Sequence, residues 1–299
     1  MQISIPTQRS FNVKRTMISH GWSDLVPFEF DQKTWTLTRV IDLDNAMPVS
    51  VKITGTRREL RINASARLTK SAERKVIADV RHMFRLDDDM SPFYRAMSAD
   101  PDFEWIAREG AGRMLRAPTV FEDLVKMICT TNCSWALTEK MVTGLVESLG
   151  RESKDGRRTF PTPEAMALMP LKFYVNEVRA GYRAAYLKEL ADRVASGELN
   201  VSEWLASDLS TPDLIKQMKR VKGVGDYAAE NLLKLVGRYD GLALDSWTRA
   251  KFFRVRNKGR QASDKKIALF YSRFNSWRGL ALWCDMTRDW MDDGGARSW

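Results

Sequence analysis

Cysteine and histidine are scarce in this chain: three cysteines (Cys129, Cys133, Cys284) and two histidines (His20, His82). A Cys-ligated iron–sulfur cluster needs four thiolates, so none is expected, and too few Cys and His remain for a zinc site. The thiols read as reduced and mostly buried. No apolar run reaches bilayer-spanning length, and the opening MQISIPTQRSFNVKR lacks the unbroken apolar stretch of a secretory signal. No internal repeat or low-complexity segment stands out. These absences argue against a disulfide scaffold, a metal-cluster protein and a membrane protein. The expectation is a soluble, cytoplasmic chain.

Positive charge is plentiful. Lys and Arg total 48 against 38 Asp and Glu, a net charge of +10. Such an excess concentrates polyanions near the surface and favours nucleic acid as a partner. Charge alone does not separate a DNA binder from other basic proteins, so its placement matters. The chain is long enough for two or three domains sharing an interface.

The first third reads differently from the rest. TWTLTRVIDL (34–43), VSVKITGT (49–56) and ELRINAS (59–65) carry β-branched residues with partial alternation, separated by DNAMP and TRR. That pattern predicts an antiparallel sheet. SAERKVIADVRHMFRL (71–86) switches to helical spacing, with Val76, Ile77, Val80, Met83 and Phe84 on one face. From there the chain reads as nearly all helix. Thr119-Val-Phe-Glu122 predicts a capping box. Thr162-Pro163 and Thr211-Pro212 each read as an N-cap followed by proline at the first helical position, and Ser263 caps a helix running through Phe270. The predicted class is α+β: an antiparallel β-rich N-terminal domain over 1–100, then a mostly α-helical body over 101–299.

The informative stretch is DLIKQMKRVKGVGDYAAENLLKLVGRYDGLALDSWTRAKFF, residues 213–253. It begins as an amphipathic helix, breaks at Lys222-Gly223-Val224-Gly225 and resumes as a helix rich in Ala and Leu. Glycines two apart allow a tight turn and close approach to another surface. The following helix N-terminus presents unpaired amides, which suit an anion, and Lys216, Lys219, Arg220 and Lys222 flank it. A bare GxG is more often a plain αα-corner. The apolar Val221 before it, Val224 between the glycines and Tyr-Ala-Ala after make the string more specific.

At this point the chain resembles the helix-hairpin-helix (HhH-GPD) DNA glycosylase superfamily, in its 3-methyladenine and 8-oxoguanine branch. FEDLVKMICTTNCSWALTEKMVTGLVESLG (121–150), GYRAAYLKELADRV (181–194) and SHGWSDLVPF (19–28) extend the likeness over most of the chain. The resemblance implies two helical subdomains with a cleft between them and a hairpin at 213–236. It implies that Gly223, Val224, Gly225 and Lys222 bind DNA phosphate, and that a Na⁺ or K⁺ ion sits on the carbonyls of Lys219, Val221 and Val224. Leu242-Ala243-Leu244-Asp245 supplies the family's essential aspartate. Asn132 matches the residue that enters the space left by the extruded base, and Tyr182 and Arg183 fall where helix-wedging residues act. The implied partner is double-stranded DNA containing a modified base. No cofactor is required, the protein is expected to be monomeric, and its place in the cell is with the nucleoid.

Read as residues alone, several positions keep two roles open. Asp245 is either an N-cap for the helix starting at Ser246 or a carboxylate facing a sugar cation, and one residue can do both. Tyr182 is either a half-buried helix aromatic or a wedge, and Asn132 either a local turn contact or a gap filler. Trp135, Trp247 and Trp283, with Tyr227, are candidate walls of a base pocket, where stacked rings attract a cationic purine; taken singly, most tryptophans are core. Bifunctional members of the superfamily carry a lysine nucleophile where this chain has Tyr227. A phenol forms no Schiff base, so a monofunctional enzyme is implied. Lys222 and Lys234 do not match that position and read as phosphate contacts or surface charge. Arg249, Lys251, Arg254, Arg256, Lys258 and Arg260 form a basic run along the DNA backbone or a solvated helix face. The leading expectation is removal of an alkylated purine. Removal of an oxidised or bulky base by the same machinery, or a non-catalytic DNA-binding module, are the alternatives.

Overall fold

The computed structural model describes residues 1–291; residues 292–299, which the expected helical body includes, lie outside the described residues. The five strands are β1 (Gln2–Pro6), β2 (Phe28–Asp31), β3 (Thr36–Leu43), β4 (Ala46–Gly55) and β5 (Glu59–Ala64). They form one antiparallel sheet in the order β1-β5-β4-β3-β2. β3, β4 and β5 fall where alternation placed them. β1 and β2 were not anticipated, being short strands on the two edges. Along β5 the buried residues are Leu60, Ile62 and Ala64, every second position, because successive side chains leave a strand on opposite faces. The helix Lys70–Met83 starts at Thr69, whose hydroxyl accepts the Ala72 N–H, and lies against β3 with Val76, Val80 and Met83 buried.

The helix Val120–Thr130 is the central element of the body. Every residue from Val120 to Cys129 is buried, as expected of a helix covered on all sides. It packs against the helices Trp135–Leu149, Arg183–Ala195 and Asp226–Leu235. Half of the expected capping box is present: the Thr119 hydroxyl accepts the Glu122 N–H at 3.2 Å. The other half is not. The Glu122 side chain turns inward to a bidentate pair with Arg39 of β3, at 2.7 and 2.6 Å, and to Lys126 at 2.8 Å. A buried carboxylate is held by two cations more strongly than by one amide at a helix end, and those cations keep Glu122 below its ordinary range despite its burial. This network joins the sheet to the helical body.

Of the three other expected caps, one needs adjustment. Thr162 caps its helix as expected, accepting the Ala165 N–H at 3.2 Å, and Ser263 does the same for Asp264–Tyr271. The helix Thr211–Met218 is instead capped by Ser210, so Thr211 and Pro212 both lie inside its first turn.

Candidate active site

The hairpin consists of the helices Thr211–Met218 and Asp226–Leu235 joined by a turn through Gly223 and Gly225. Gly223 has φ +89°, a conformation that costs L-residues energy, and a Cβ there would lie 2.9 Å from the Tyr186 ring. Gly225 has no such requirement of φ; a Cβ on it would meet open space, so its position leaves the outer side of the turn clear. Gly225 is also the N-cap of Asp226–Leu235 and supplies no side-chain partner for the first-turn amides. Those amides point outward at the positive end of the helix dipole. Around them, Lys219 pairs with Asp226 at 2.6 Å and Lys222 with Glu189 at 2.6 Å. These exposed pairs contribute little and exchange readily for a phosphate.

A groove of about 740 Å³ runs past this turn, bordered by Lys219, Val221–Ala228, Thr130–Cys133, Tyr182, Tyr186 and Leu244–Ser246. Beside it lies a more enclosed cavity of about 350 Å³. Its walls are Trp22, Met114, Met127, Trp135, Trp247 and Trp283, with His20, Cys133, Asn231, Tyr227 and Asp245 adding polar atoms. Asp245, Tyr227, Cys133 and Thr130 border both spaces, so the cavity meets the groove beside Asp245.

Asp245 caps the helix Ser246–Arg256: its Oδ1 accepts the Thr248 N–H at 2.7 Å. Cap and cavity residue are therefore one group, and the cap fixes where the carboxylate stands. The Tyr227 phenol faces it; burial first, then the charge of Asp245 and a hydrogen bond to it, push that phenol up and keep it protonated.

The aromatic walls come from three parts of the chain. Trp247, Trp283 and Trp290 form a triad with ring centroids 5.8 to 6.0 Å apart. Trp283 Nε1 donates to the Ser19 carbonyl at 2.7 Å, and Trp22 Nε1 donates to Asp123 at 2.6 Å. Both indole N–H groups are thus spent on protein acceptors. His20 donates from Nε2 to the Leu115 carbonyl at 2.6 Å and packs edge-on to Trp22. The structure brings the anticipated Trp135, Tyr227, Trp247 and Trp283 together. His20, Trp22, Met114, Met127 and Asn231, which also line the cavity, were not anticipated as site residues, and Trp290 packs behind the walls. They come from segments far apart in sequence, and no local spacing marks them.

On the far side of the groove Asn132 is exposed in the turn after the central helix, with φ +47°. Tyr182 is 52% exposed. Arg183 is not a DNA-facing residue: it is buried, its guanidinium donates to the Thr131 carbonyl and hydroxyl, and it underlies the Tyr182 ring at 4.4 Å. It supports the turn that presents Asn132. Lys234 also departs from expectation, since it is 1% exposed and no surface charge. Half of the basic run is engaged within the protein. Arg249 pairs with Asp264, Lys251 with Asp289 and Arg256 with Asp285, which leaves Arg254, Lys258 and Arg260 exposed. The thiols of Cys129 and Cys284 are buried, which pushes each up to about 12, whereas Cys133 reaches the cavity wall. Among the described residues there is no cluster of His, Cys, Asp and Glu that would hold a metal ion, and no helix long and apolar enough to cross a membrane.

In this cleft helix-terminal amides border a groove, and a carboxylate stands between that groove and an aromatic cavity. No protein-family model matches the chain. In sequence it is similar to the DNA-3-methyladenine glycosylase of Bacillus subtilis, 22% identical over 231 residues, 74% of this chain and 76% of that protein. In structure it is similar to the 3-methyladenine DNA-glycosylase of Archaeoglobus fulgidus, with a TM-score of 0.76 at 21% identity, covering 97% of this chain and 98% of that one. It is similar as well to the Clostridium acetobutylicum 8-oxoguanine glycosylase/lyase in complex with double-stranded DNA, with a TM-score of 0.73 at 20% identity over 98% of each chain. The chain has the fold of the helix-hairpin-helix DNA glycosylases, and these relatives are DNA glycosylases of that type.

Proposed function

We propose that this chain is a monofunctional DNA glycosylase that hydrolyses the N-glycosidic bond of an alkylated purine flipped out of double-stranded DNA, leaving an abasic site. One observation carries the reading: Asp245 stands where the hairpin groove meets the aromatic cavity. A base inside a duplex is unreachable, and extruding it costs a few kcal/mol. Tyr182 and Asn132, exposed across the groove, offset that cost by filling the gap. The hairpin amides hold the backbone, and the base enters a cavity whose volume is near the lower end for small-ligand sites. The sugar is then left beside Asp245. As the bond breaks, positive charge grows on the sugar, and a fixed carboxylate stabilises it. The carboxylate also has lone pairs beyond those engaged by Thr248 and Tyr227, with which to orient the attacking water.

The substrate class rests on the walls. With the Trp22 and Trp283 N–H groups turned away, those rings offer the cavity π surface, which attracts a cationic alkylated purine more than a neutral base. The absence of lyase chemistry rests on Tyr227, which forms no Schiff base, and on the burial of Lys234. The carbonyls of Lys219, Val221 and Val224 are neutral oxygen donors of the kind a Na⁺ or K⁺ ion takes. The Val221 carbonyl already accepts the Val224 N–H at 3.1 Å and keeps its second lone pair for the ion.

Duplexes carrying a single 7-methylguanine, 3-methyladenine or 8-oxoguanine, incubated with the protein and then heated in alkali, test the reading. Strand breaks at the methylated purines only after alkali, with no protein–DNA adduct trapped by borohydride, are expected. Release confined to 8-oxoguanine would reassign the substrate, a trapped adduct would overturn the monofunctional assignment, and no release from any duplex would leave a DNA-binding module.

A further inference from the structure

The loop over 239–244 delivers Asp245, and it has almost no freedom. On one side, Gly279 N–H donates to the Tyr239 carbonyl at 2.7 Å, and a Cβ on Gly279 would stand 1.9 Å from the Gly241 carbonyl oxygen. On the other side lies the second hairpin helix. There the Glu230 carboxylate accepts the Ala243 N–H, and Lys234 Nζ donates to the Leu242 carbonyl at 3.4 Å. A Cβ on Gly241 would press on the Glu230 side chain at 3.1 Å. Ala243 has φ +52°, an unfavourable conformation for alanine that requires outside support. The two side chains that grip it sit one helical turn apart and straddle the last bend before Asp245.

We infer that Glu230 and Lys234 are positioning residues for Asp245, a clamp that couples the carboxylate to the same helix whose N-terminus takes the DNA backbone. The inference rests on the glycosylase reading above and deepens it. One rigid helix thereby sets the distance between the phosphate grip and the sugar-facing carboxylate, which is what preorganisation requires. Lys234 adds charge as well as shape. Its ammonium is buried, facing Glu230 of its own helix and Asp245, while the Arg85 guanidinium donates to its main-chain carbonyl at 2.8 Å. Burial pulls Lys234 down to about 8, with Glu230 and Asp245 resisting. The fold therefore tolerates this ammonium at a cost at neutral pH. A group kept at such cost next to a catalytic carboxylate points to function rather than stability.

The test uses the whole chain on a 7-methylguanine duplex, with single-turnover excision across pH 6 to 9.5, anisotropy on a duplex containing a stable abasic-site analogue, and thermal melting. Lys234→Met is expected to slow excision about tenfold to a hundredfold, the range for misplaced catalytic groups, with affinity for the abasic duplex preserved and melting temperature at pH 7 unchanged or higher. The wild-type rate should decline as pH rises through about 8, where Lys234 discharges, and that decline should be missing in the variant. Glu230→Ala should slow excision in the same way, and Glu230→Gln, which keeps an acceptor for Ala243, should recover most of the rate. Wild-type rate and pH profile in Lys234→Met would overturn the clamp while leaving the glycosylase reading intact. Rate, affinity and melting temperature falling together in both Lys234→Met and Glu230→Ala would also overturn it, making the pair merely structural. Wild-type protein that releases no base would overturn the glycosylase reading and the clamp with it.

Discussion

Two helices in contact each carry a glutamate and a lysine four residues apart, and the two pairs do opposite things. On the central helix, Glu122 and Lys126 meet at 2.8 Å and close around Arg39, so that the charges satisfy one another inside the protein. On the hairpin helix, Glu230 and Lys234 each reach main-chain groups of the loop before Asp245. Spacing on a helix permits an ion pair, but the neighbours decide what the pair holds. The first joins sheet to helix. The second holds the carboxylate of the site.

The largest expected effect breaks this comparison at its functional end. Asp245→Asn keeps a good N-cap, since asparagine is as favoured there as aspartate, and removes the charge that faces the sugar. Base release should fall about a hundredfold to a thousandfold, the scale for losing one preorganised electrostatic group. Melting temperature and affinity for an abasic duplex should hold. An excision rate within a few-fold of wild type would show that the carboxylate is only a cap.

At the structural end, Glu122→Ala leaves Arg39 and Lys126 buried without their partner. The expected loss is about 3–5 kcal/mol of stability, as when one member of a buried pair is removed, read by denaturant unfolding. Excision per folded molecule should not change. If Glu122→Ala slowed excision at full folding, the two pairs would not divide as described.

The same contrast explains what was legible in the sequence. The hairpin glycines, the Asp245 cap and the inner strands follow from local rules, so short stretches of chain announced them. Glu122 was misread as half of a capping box because the local pattern is genuine; Arg39, distant in sequence, captured the carboxylate instead. Lys234 read as surface charge because lysine is rarely buried, and its partners lie on a loop whose path no spacing reveals. Arg183 matched a motif but turned inward to Thr131. The cavity was half legible: Trp135, Tyr227 and Trp247 lie within the motif stretches and Trp283 was also a candidate wall, whereas Trp22, though inside SHGWSDLVPF, and Met114, in no motif, carry no local mark of a wall.

A smaller effect is expected across the groove. Tyr182→Ala removes the exposed ring that would fill the gap, and base–aromatic stacking contributes about 1–3 kcal/mol. Excision from a matched duplex should drop about tenfold, and less where the lesion lies opposite a mismatch that is already easy to open. Tyr182→Phe should behave as wild type, because the hydroxyl meets the Thr131 carbonyl only at 3.4 Å. Equal losses on matched and mismatched duplexes would assign Tyr182 to the fold rather than to flipping.

The smallest expected effect separates the cavity wall from the ion-pair network beside it. Asp123 follows Glu122 on the central helix but accepts the neutral Trp22 indole N–H at 2.6 Å and the Ala117 N–H at 2.9 Å. Burial pushes it from an ordinary 3.8 up to about 7. Between about pH 4 and 7 the unfolded chain has released this proton while the folded chain retains it, so stability falls as pH rises through that window and levels off above it. Asparagine offers the same acceptor oxygen without the titration. Asp123→Asn should therefore lose that slope and melt higher than wild type at pH 8, with excision changed little because Trp22 keeps its anchor. Parallel melting curves for the two proteins from pH 4 to 8 would mean that Asp123 stays ionised and that the Trp22 wall rests on a charge.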